Sequence, residues 1–150
     1  STGTGSRVEI RMRDEAIFVL GEQTSFVIID YTFGGAGNPS AIMKLIQGAF
    51  LATSGLIAES GANTMTVETS VATIGIRGTT VWGGSLDGLF GVVMLEGTAI
   101  SVTNAAGQVE LTEPNAGTRV PGPGDSPTVP MPWGREILTR AAASVAFDTP

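Results

Sequence analysis

The residues with the clearest potential for chemistry lie in one short stretch, Val71-Ala-Thr-Ile-Gly-Ile-Arg-Gly-Thr-Thr80. Arg77 precedes Gly78, so its guanidinium and the neighbouring glycine amides could together bind an anionic ligand. The alternative is structural: Gly75 and Gly78 supply backbone conformations that other residues cannot reach, while Arg77 pairs with a carboxylate on a neighbouring strand. A phosphate-binding loop would also need the sequence G-x-x-x-x-G followed by a lysine and then a serine or threonine, and this stretch does not contain that motif. We therefore favour the structural interpretation.

Carboxylates are the second possible source of chemistry, because two acids about 5–10 Å apart can hydrolyse a glycosidic bond. The possible participants lie at predicted turns or strand ends, where acids are usually just solvated: Asp87, Glu96, Glu110 and Glu113. The segment Gly124-Asp-Ser-Pro127 lacks the final glycine of an aspartic-protease motif. The acids are also too dispersed to form a calcium loop.

Two residue types are missing altogether, because the chain contains no histidine and no cysteine. Their absence excludes a Ser-His-Asp triad, a cysteine nucleophile, a disulfide and a histidine-ligated zinc. No set of nucleophile, base and orienting group remains. We predict that the chain is not an enzyme and has no metal site and no cofactor.

Length and composition are those of one small domain with its own core, since 42% of the 150 residues are hydrophobic. Only 15% are charged, against about 25% in an average protein, and Lys44 is the single lysine. The net charge of −6 disfavours binding to nucleic acid or anionic lipid. No apolar run approaches the roughly 18 residues of a membrane span. Because the chain begins at Ser1 and not at a methionine, we expect that a leader or a larger parent protein has been removed.

Short apolar segments separated by turn residues predict an all-β fold, an antiparallel-rich sandwich, roll or solenoid. The stretch 42–50 also has helical spacing, but Gly48 and its neighbouring strands favour a strand. Breaks are expected at Gly83-Gly84, Asp87-Gly88, Glu96-Gly97 and Asn104–Gly107. The predicted strands are residues 8–12, 16–20, 26–33, 42–50, 65–69, 71–76, 79–82, 89–95, 98–103 and 108–111.

Composition changes after residue 120, so we divide the chain into a β domain (1–120), an arm (121–134) and a helix with a tail (135–150). The arm contains five of the eight prolines and should be extended. At up to ~3.1 Å per residue it could span roughly 40 Å. The helix is too short to be stable alone and needs a partner surface. That surface is either the chain's own β domain or a neighbouring subunit; we slightly favour the neighbour.

Five motifs in the right order resemble the FecR domain family over residues 2–120. Thr69-Ser-Val-Ala-Thr-Ile-Gly-Ile-Arg-Gly-Thr79 is similar to the family's TP-x-A-T-x-G-I-R-G-T stretch, with Ser70 at the proline position. The other four matching segments are Thr4–Ile10, Leu20-Gly21, Leu45–Phe50 and Leu95–Gly107. The signature residues, to which the sequence assigns a structural role, are Thr73, Gly75, Ile76, Arg77, Gly78 and Thr79.

The resemblance implies an all-β domain of the bacterial envelope, periplasmic or surface-exposed. The best-known members are membrane-spanning regulators that relay a signal from an outer-membrane transporter to a sigma factor, and others are free-standing. The segment matched here lacks the sigma-binding part. The function that this implies is a non-catalytic module that binds other proteins.

A self-assembling structural subunit is the alternative, because family members usually have further strands before the first motif. An incomplete sheet leaves an edge that another chain can complete. The partners would then be other copies of the chain, joined by an edge strand or by the arm into a filament. The candidate assembly contacts are Val8, Ile10, Met12, Trp133, Ile137, Leu138 and Val145.

Overall fold

A computed structural model describes residues 1–32, 40–55 and 65–146. These residues form eleven strands and one helix. The helix in this described part of the chain is too short to span a membrane. The strands are β1 Val8–Arg11, β2 Ile17–Leu20, β3 Ser25–Thr32, β4 Ser40–Gln47, β5 Phe50–Thr53, β6 Met65–Glu68, β7 Thr73–Leu86, β8 Leu89–Asn104, β9 Gly107–Leu111, β10 Ala116–Val120 and β11 Met131–Pro132, and the helix is α1 Arg135–Val145.

All eleven strands belong to one curled sheet, which confirms the predicted antiparallel-rich all-β fold. One path through the sheet runs β1-β2-β5-β7-β6-β4-β3. A second path leaves β7 through β8, which pairs with both β9 and β10, and β10 pairs with β11. Only β4 and β6 are parallel among the described pairs; every other pair is antiparallel.

The long hairpin of β7 and β8 is the centre of the sheet. Its turn is Asp87-Gly88, as predicted, with both residues at positive φ (+55° and +79°), the geometry of the turn that suits twisted hairpins. Both strands are continuous where the sequence predicted interruptions. The predicted breaks at Gly83-Gly84 and Glu96-Gly97 are therefore wrong, as is the predicted separation of strands 71–76 and 79–82. Gly83 is required by packing: a Cβ there would lie 2.6 Å from the Phe50 ring.

The ambiguous stretch 42–50 forms strands, as predicted, but it contains two of them. β4 ends at Gln47, Gly48 turns the chain at φ +99°, and β5 begins at Phe50. In β4, Ala41 and Met43 are buried while Lys44 is exposed, which is the period of two that a half-buried strand requires. β10 and β11 were not predicted. The prediction that Phe33 continues β3 lies outside the described residues.

The main core fills the concave side of the sheet with fully buried side chains from eight strands, β2 and β4 to β10. Because these side chains are large and apolar, removing them from water is the main stabilising contribution to this fold. The largest are Phe18, Phe50, Met43, Met65, Ile74, Ile76, Met94 and Ile100.

The helix α1 packs on the convex side of the same chain, in a second cluster with Trp82 at its centre. Trp82 Nε1 donates a hydrogen bond to Ser144 Oγ at 2.9 Å. Arg7 Nε donates to the carbonyl of Ala146 at 3.1 Å and so satisfies an oxygen that the end of the helix leaves unpaired. The expectation that the helix reaches a neighbouring subunit is therefore wrong for this structure, in which the chain's own sheet supplies the partner surface.

The arm is held against β10 rather than extended into solvent. The Thr128 amide donates to the carbonyl of Arg119 at 2.9 Å, and Met131 pairs with Gly117. The Trp133 ring lies so close to Gly117 that a Cβ there would be 2.2 Å from Trp133 Nε1. A local sequence pattern cannot show this contact, because it joins residues that are distant along the chain.

Candidate functional site

The signature stretch forms the first half of β7, where side chains alternate between the two faces of the sheet. Ile74 and Ile76 are fully buried in the main core. Thr73 and Arg77 are exposed on the convex face, and Gly75 lies between them. The strand therefore has a structural side and a solvent side, and the chemistry available to a partner lies on the solvent side.

Backbone strain is concentrated at the end of the signature, where β7 and β8 bend. Gly78 on β7 has φ +53°, and Gly97 on β8, which pairs with Thr79, has φ +121°. Both conformations favour glycine. A Cβ on Gly97 would lie 2.3 Å from the carbonyl oxygen of Gly78. The Thr79 hydroxyl is buried and bonds the backbone of Arg77 and of Ala99 across the bend. Gly78 and Thr79 thus fix the bend of the hairpin.

Gly75 has a different role from the one predicted, because its φ is not positive. The register places Gly75 opposite Ser101, and a Cβ on Gly75 would lie 2.6 Å from Ser101 Oγ. Glycine at this position therefore leaves room for the Ser101 hydroxyl, which a larger residue would have to displace, and it serves no special backbone conformation.

Among the described residues, no carboxylate forms the predicted cross-strand ion pair with Arg77. Its neighbour on β8 is Ala99, and Arg77 makes no salt bridge within residues 1–32, 40–55 and 65–146. It lines a shallow depression of about 130 Å³ together with Glu110, Ser101 and Gly75. The guanidinium is exposed, so its five donors are available to a group outside the chain.

The convex face around Arg77, which we call the open face, is polar and is not covered by the described residues of α1 or the arm. The strand register joins Glu68, Thr73, Thr103 and Gln108 in one row and Thr66, Gly75, Ser101 and Glu110 in the next. The side chains are short or charged and partly or fully exposed. The sequence indicated a solvent-facing side of these strands, because Thr66 and Thr103 alternate with buried residues. It did not show which distant strands pair to bring these side chains together.

The carboxylates considered for catalysis are separated. Asp87 accepts two hydrogen bonds from Arg140, at 2.7 and 3.1 Å, and these lower the pKa of the Asp87 carboxyl below its usual value. Glu96 lines a hydroxyl-rich depression of about 340 Å³ at the bend, with Thr53 and Ser54, while Glu110 lies on the open face. Among the described residues, no three acids are grouped in a way that could hold a metal ion.

A buried polar contact joins the turn before β2 to β3. The Tyr31 hydroxyl donates to Asp14 Oδ1 and accepts from the Asp14 amide, both at 2.9 Å. Burial, more than any other cause, raises the pKa of Tyr31 above its ordinary value. Asp14 is only 1% exposed, so this contact orders the structure and is not accessible to a substrate.

The predicted assembly contacts do not form one surface. Ile10 and Met12 pack against the main core, and Val8 is 39% exposed at the edge strand β1. The remaining four belong to the cluster around Trp82 and are used within the chain: Trp133, Ile137, Leu138 and Val145.

Exposed apolar side chains instead lie on a different edge of the sheet, which was not predicted to be an assembly surface. On β3, Val27, Ile28 and Ile29 are 42%, 46% and 50% exposed, and Ile46 on the adjacent β4 is 54% exposed. The continuous apolar run 26–29 was the signal that could have identified it.

Comparison with solved structures supports the fold. Two crystal structures of a candidate anti-sigma factor from Parabacteroides distasonis, at 1.65 and 2.50 Å resolution, superpose with a TM-score of 0.72 at 15% sequence identity. The match covers 93% of this chain and 61% of that protein, so the present chain spans less than two thirds of its length. No curated protein sequence matches this chain.

Comparison with protein families gives a more specific result. The family model described as FecR protein matches residues 1–110, which include every strand from β1 to β8 and nearly all of β9. The matched region contains the signature strand, the bend at Gly78 and the open face. This chain belongs to the FecR family.

Proposed function

We propose that this chain is a non-catalytic protein-binding module of the bacterial cell envelope, located in the periplasm or on the cell surface. The observation that carries the proposal is that Arg77, in the signature of the FecR family, points outward from the open face and has no ion pair in the described chain. The neighbouring signature residues are used for the core and the bend, whereas Arg77 contributes to neither.

The open face is suited to a protein partner rather than to a small molecule. The depression beside Arg77 is shallow and small, about 130 Å³, whereas ligand pockets usually enclose about 300–1,000 Å³. Short hydroxyl side chains around Arg77 allow a flat surface to approach closely. An arginine that is exposed in the free protein and pairs with a carboxylate of its partner is a frequent feature of protein interfaces.

Regulation of a sigma factor is one specific form of this function. The solved structures with the same fold are of a candidate anti-sigma factor, and FecR domains are typically periplasmic. Because this chain spans 61% of that protein, we extend to it only the binding of another envelope protein.

Site-specific photo-crosslinking in the bacterium that encodes the chain tests the proposal. A photoreactive amino acid at Thr73, on the open face, should form an adduct with another envelope protein. The matched control is the same substitution at Thr139, which is exposed on α1. Absence of adducts at Thr73, or equal adducts at both positions, would contradict a binding role for the open face.

A self-assembling structural subunit is the second candidate function, and the exposed apolar edge of β3 favours it. Exchange of the C-terminal arm has no comparable support, because Trp133 and α1 pack on the chain's own sheet.

A further inference from the structure

A second depression, which we call the bend depression, lies where β7 and β8 bend and has a volume of about 340 Å³. This volume is within the range of about 300–1,000 Å³ that is usual for small-molecule sites. None of its lining residues lines the smaller depression beside Arg77. Apart from two glycines, every residue of the lining has a hydroxyl or a carboxylate group. The lining residues are Thr53, Ser54, Gly78, Thr79, Thr80, Glu96 and Gly97.

The hydroxyl groups of the bend depression are held in place and still have protons to donate. Ser54 Oγ accepts a hydrogen bond from the Thr79 amide at 2.9 Å, and the Ser54 amide donates to the Thr79 carbonyl at 3.0 Å. Within the described chain Ser54 Oγ acts only as an acceptor, so its proton is available to a ligand. Thr53 Oγ1 and Thr80 Oγ1 lie 3.3 Å apart, so one of their two protons joins them and the other is available.

Glu96 carries the only charge of this lining, and a β-bulge directs it there. The register of β7 and β8 shifts between Thr80 and Val81, which leaves Leu95 as an extra residue on β8. Leu95 lines an apolar groove beside Trp82, which lies two residues from Thr80 and so on the same face. Among the described residues no cation pairs with Glu96, so both oxygens of its carboxylate can accept hydrogen bonds from a ligand.

These groups exclude several classes of ligand. The Glu96 carboxylate and the net charge of −6 repel phosphates and other anions. One carboxylate is too few for a calcium ion, and the lining has no aromatic or large apolar side chain to hold a hydrophobic ligand. An ammonium group could pair with Glu96, but it has no acceptor for the protons of Ser54 and the threonines.

We infer that the bend depression is a binding site for a neutral carbohydrate. Sugars carry adjacent hydroxyl groups, each of which can both donate and accept a hydrogen bond. Two such hydroxyls can donate to the two oxygens of Glu96, while other sugar oxygens accept from Ser54 and from the threonine pair. The C–H groups of the sugar ring would lie towards Leu95, which the bulge places next to Glu96 on the same face.

The inference goes beyond the proposed function, because it concerns a different depression and a small ligand instead of a protein. A failure of carbohydrate binding would leave the crosslink expected at Thr73 unchanged. A failure of the Thr73 crosslink would likewise leave carbohydrate binding unchanged.

Titration of the isotope-labelled chain with maltotriose and with triacetylchitotriose, followed by amide NMR shifts, tests the inference. At least one of these neutral sugars should shift the amides of Ser54, Thr80 and Gly97 in a saturable way. Because the depression is open to solvent and offers few hydrogen bonds, the dissociation constant should be on the order of millimolar.

Glu96→Ala identifies the group that binds the sugar. Hydrogen bonds to a charged group are the strongest that this lining can offer, so the variant should raise the dissociation constant by about tenfold or more. Glu110→Ala is the matched control, because Glu110 is an exposed carboxylate on the open face, and it should leave the dissociation constant unchanged. The amide spectrum of each variant shows whether the sheet is retained.

Three results would overturn the inference. The first is the absence of saturable shifts with both sugars up to about 100 mM, beyond the range of specific binding. The second is an equal dissociation constant for the natural chain and for folded Glu96→Ala. The third is a response of the same amides to inorganic phosphate that exceeds the response to either sugar, which would show the site to prefer anions.

Discussion

Replacing Trp133 with alanine tests whether the arm and helix are integral to the fold. The Trp133 ring covers Gly117 and Gly91, contacts the Trp82 ring edge-on at 6.1 Å between centroids, and lies 5.1 Å from the Arg119 guanidinium. If the arm were free in solution, none of these contacts would contribute to the free energy of unfolding.

The magnitude follows from these contacts. Truncating a fully buried tryptophan costs about 3–5 kcal/mol, and Trp133 is only partly buried. The edge-on contact with Trp82 contributes about 0.5–1.5 kcal/mol of this, and the Arg119 contact about 0.5–1 kcal/mol. We therefore expect Trp133→Ala to reduce the free energy of unfolding by about 2–4 kcal/mol.

Urea denaturation monitored by tryptophan fluorescence measures this change. The chain has two tryptophans, so the variant retains Trp82, which is buried at the centre of the cluster, as its single probe. Val129→Ala is the control, because Val129 lies in the same arm and is 77% exposed; its effect should stay below about 0.5 kcal/mol. Equal losses in the two variants would refute the docking of the arm on β10.

Three further predictions concern the bend, the signature arginine and the half-buried tyrosine. Gly97→Ala should reduce the free energy of unfolding by about 3 kcal/mol or more, because the new Cβ would meet backbone atoms at a residue with positive φ. Gly124→Ala is the control and should cost less than about 0.5 kcal/mol, because a Cβ there would meet open space. Equal costs of the two variants in thermal melts would contradict the role of the bend. Arg77→Ala should change the free energy of unfolding in urea by less than about 0.5 kcal/mol, because the side chain is exposed and forms no ion pair in the described chain. A loss above about 1 kcal/mol would favour a structural role for Arg77 over partner binding. Tyr31 is the only tyrosine, so its ionisation can be followed by tyrosinate absorbance. The raised pKa of Tyr31 favours its neutral form in the folded state. The stability that this side chain contributes is therefore complete below its unfolded pKa of about 10 and is lost as pH rises through the folded pKa. Tyr31→Phe should remove this alkaline loss of stability, and an unchanged loss would contradict the assignment of the alkaline decline to Tyr31.

Local patterns were sufficient to predict most of the sheet. Alternation of apolar and polar residues identified β1 and β6, and Asp87-Gly88 identified the central hairpin turn. The wrong breaks at Gly83-Gly84 and Glu96-Gly97 occurred where glycine serves packing instead of turning the chain: Gly83 makes room for the Phe50 ring, and Gly97 lies within a bent strand. A sequence pattern cannot distinguish these uses of glycine, because each depends on a residue from another strand.

The candidate site could be predicted only in part. The resemblance identified Arg77 and its neighbours, but the expected carboxylate partner depended on which residue β8 places opposite Arg77, and that residue is Ala99. The direction of the arm was missed for the same physical reason, since the contact of Trp133 with Gly117 depends on the pairing of β10 with β11. The exposure of β3 likewise follows from its place in the sheet and not from its own residues.

Photo-crosslinking from Thr73 in cells that carry Arg77→Ala measures most directly whether Arg77 and the open face bind a partner. Cells that carry Arg135→Ala, at an exposed position of α1, are the matched control. Both variants should fold and accumulate normally, because neither arginine makes an ion pair in the described chain. The adduct with the envelope partner should be lost in Arg77→Ala and retained in Arg135→Ala. An adduct of unchanged intensity in folded Arg77→Ala would contradict the assignment of Arg77 and the open face to partner binding.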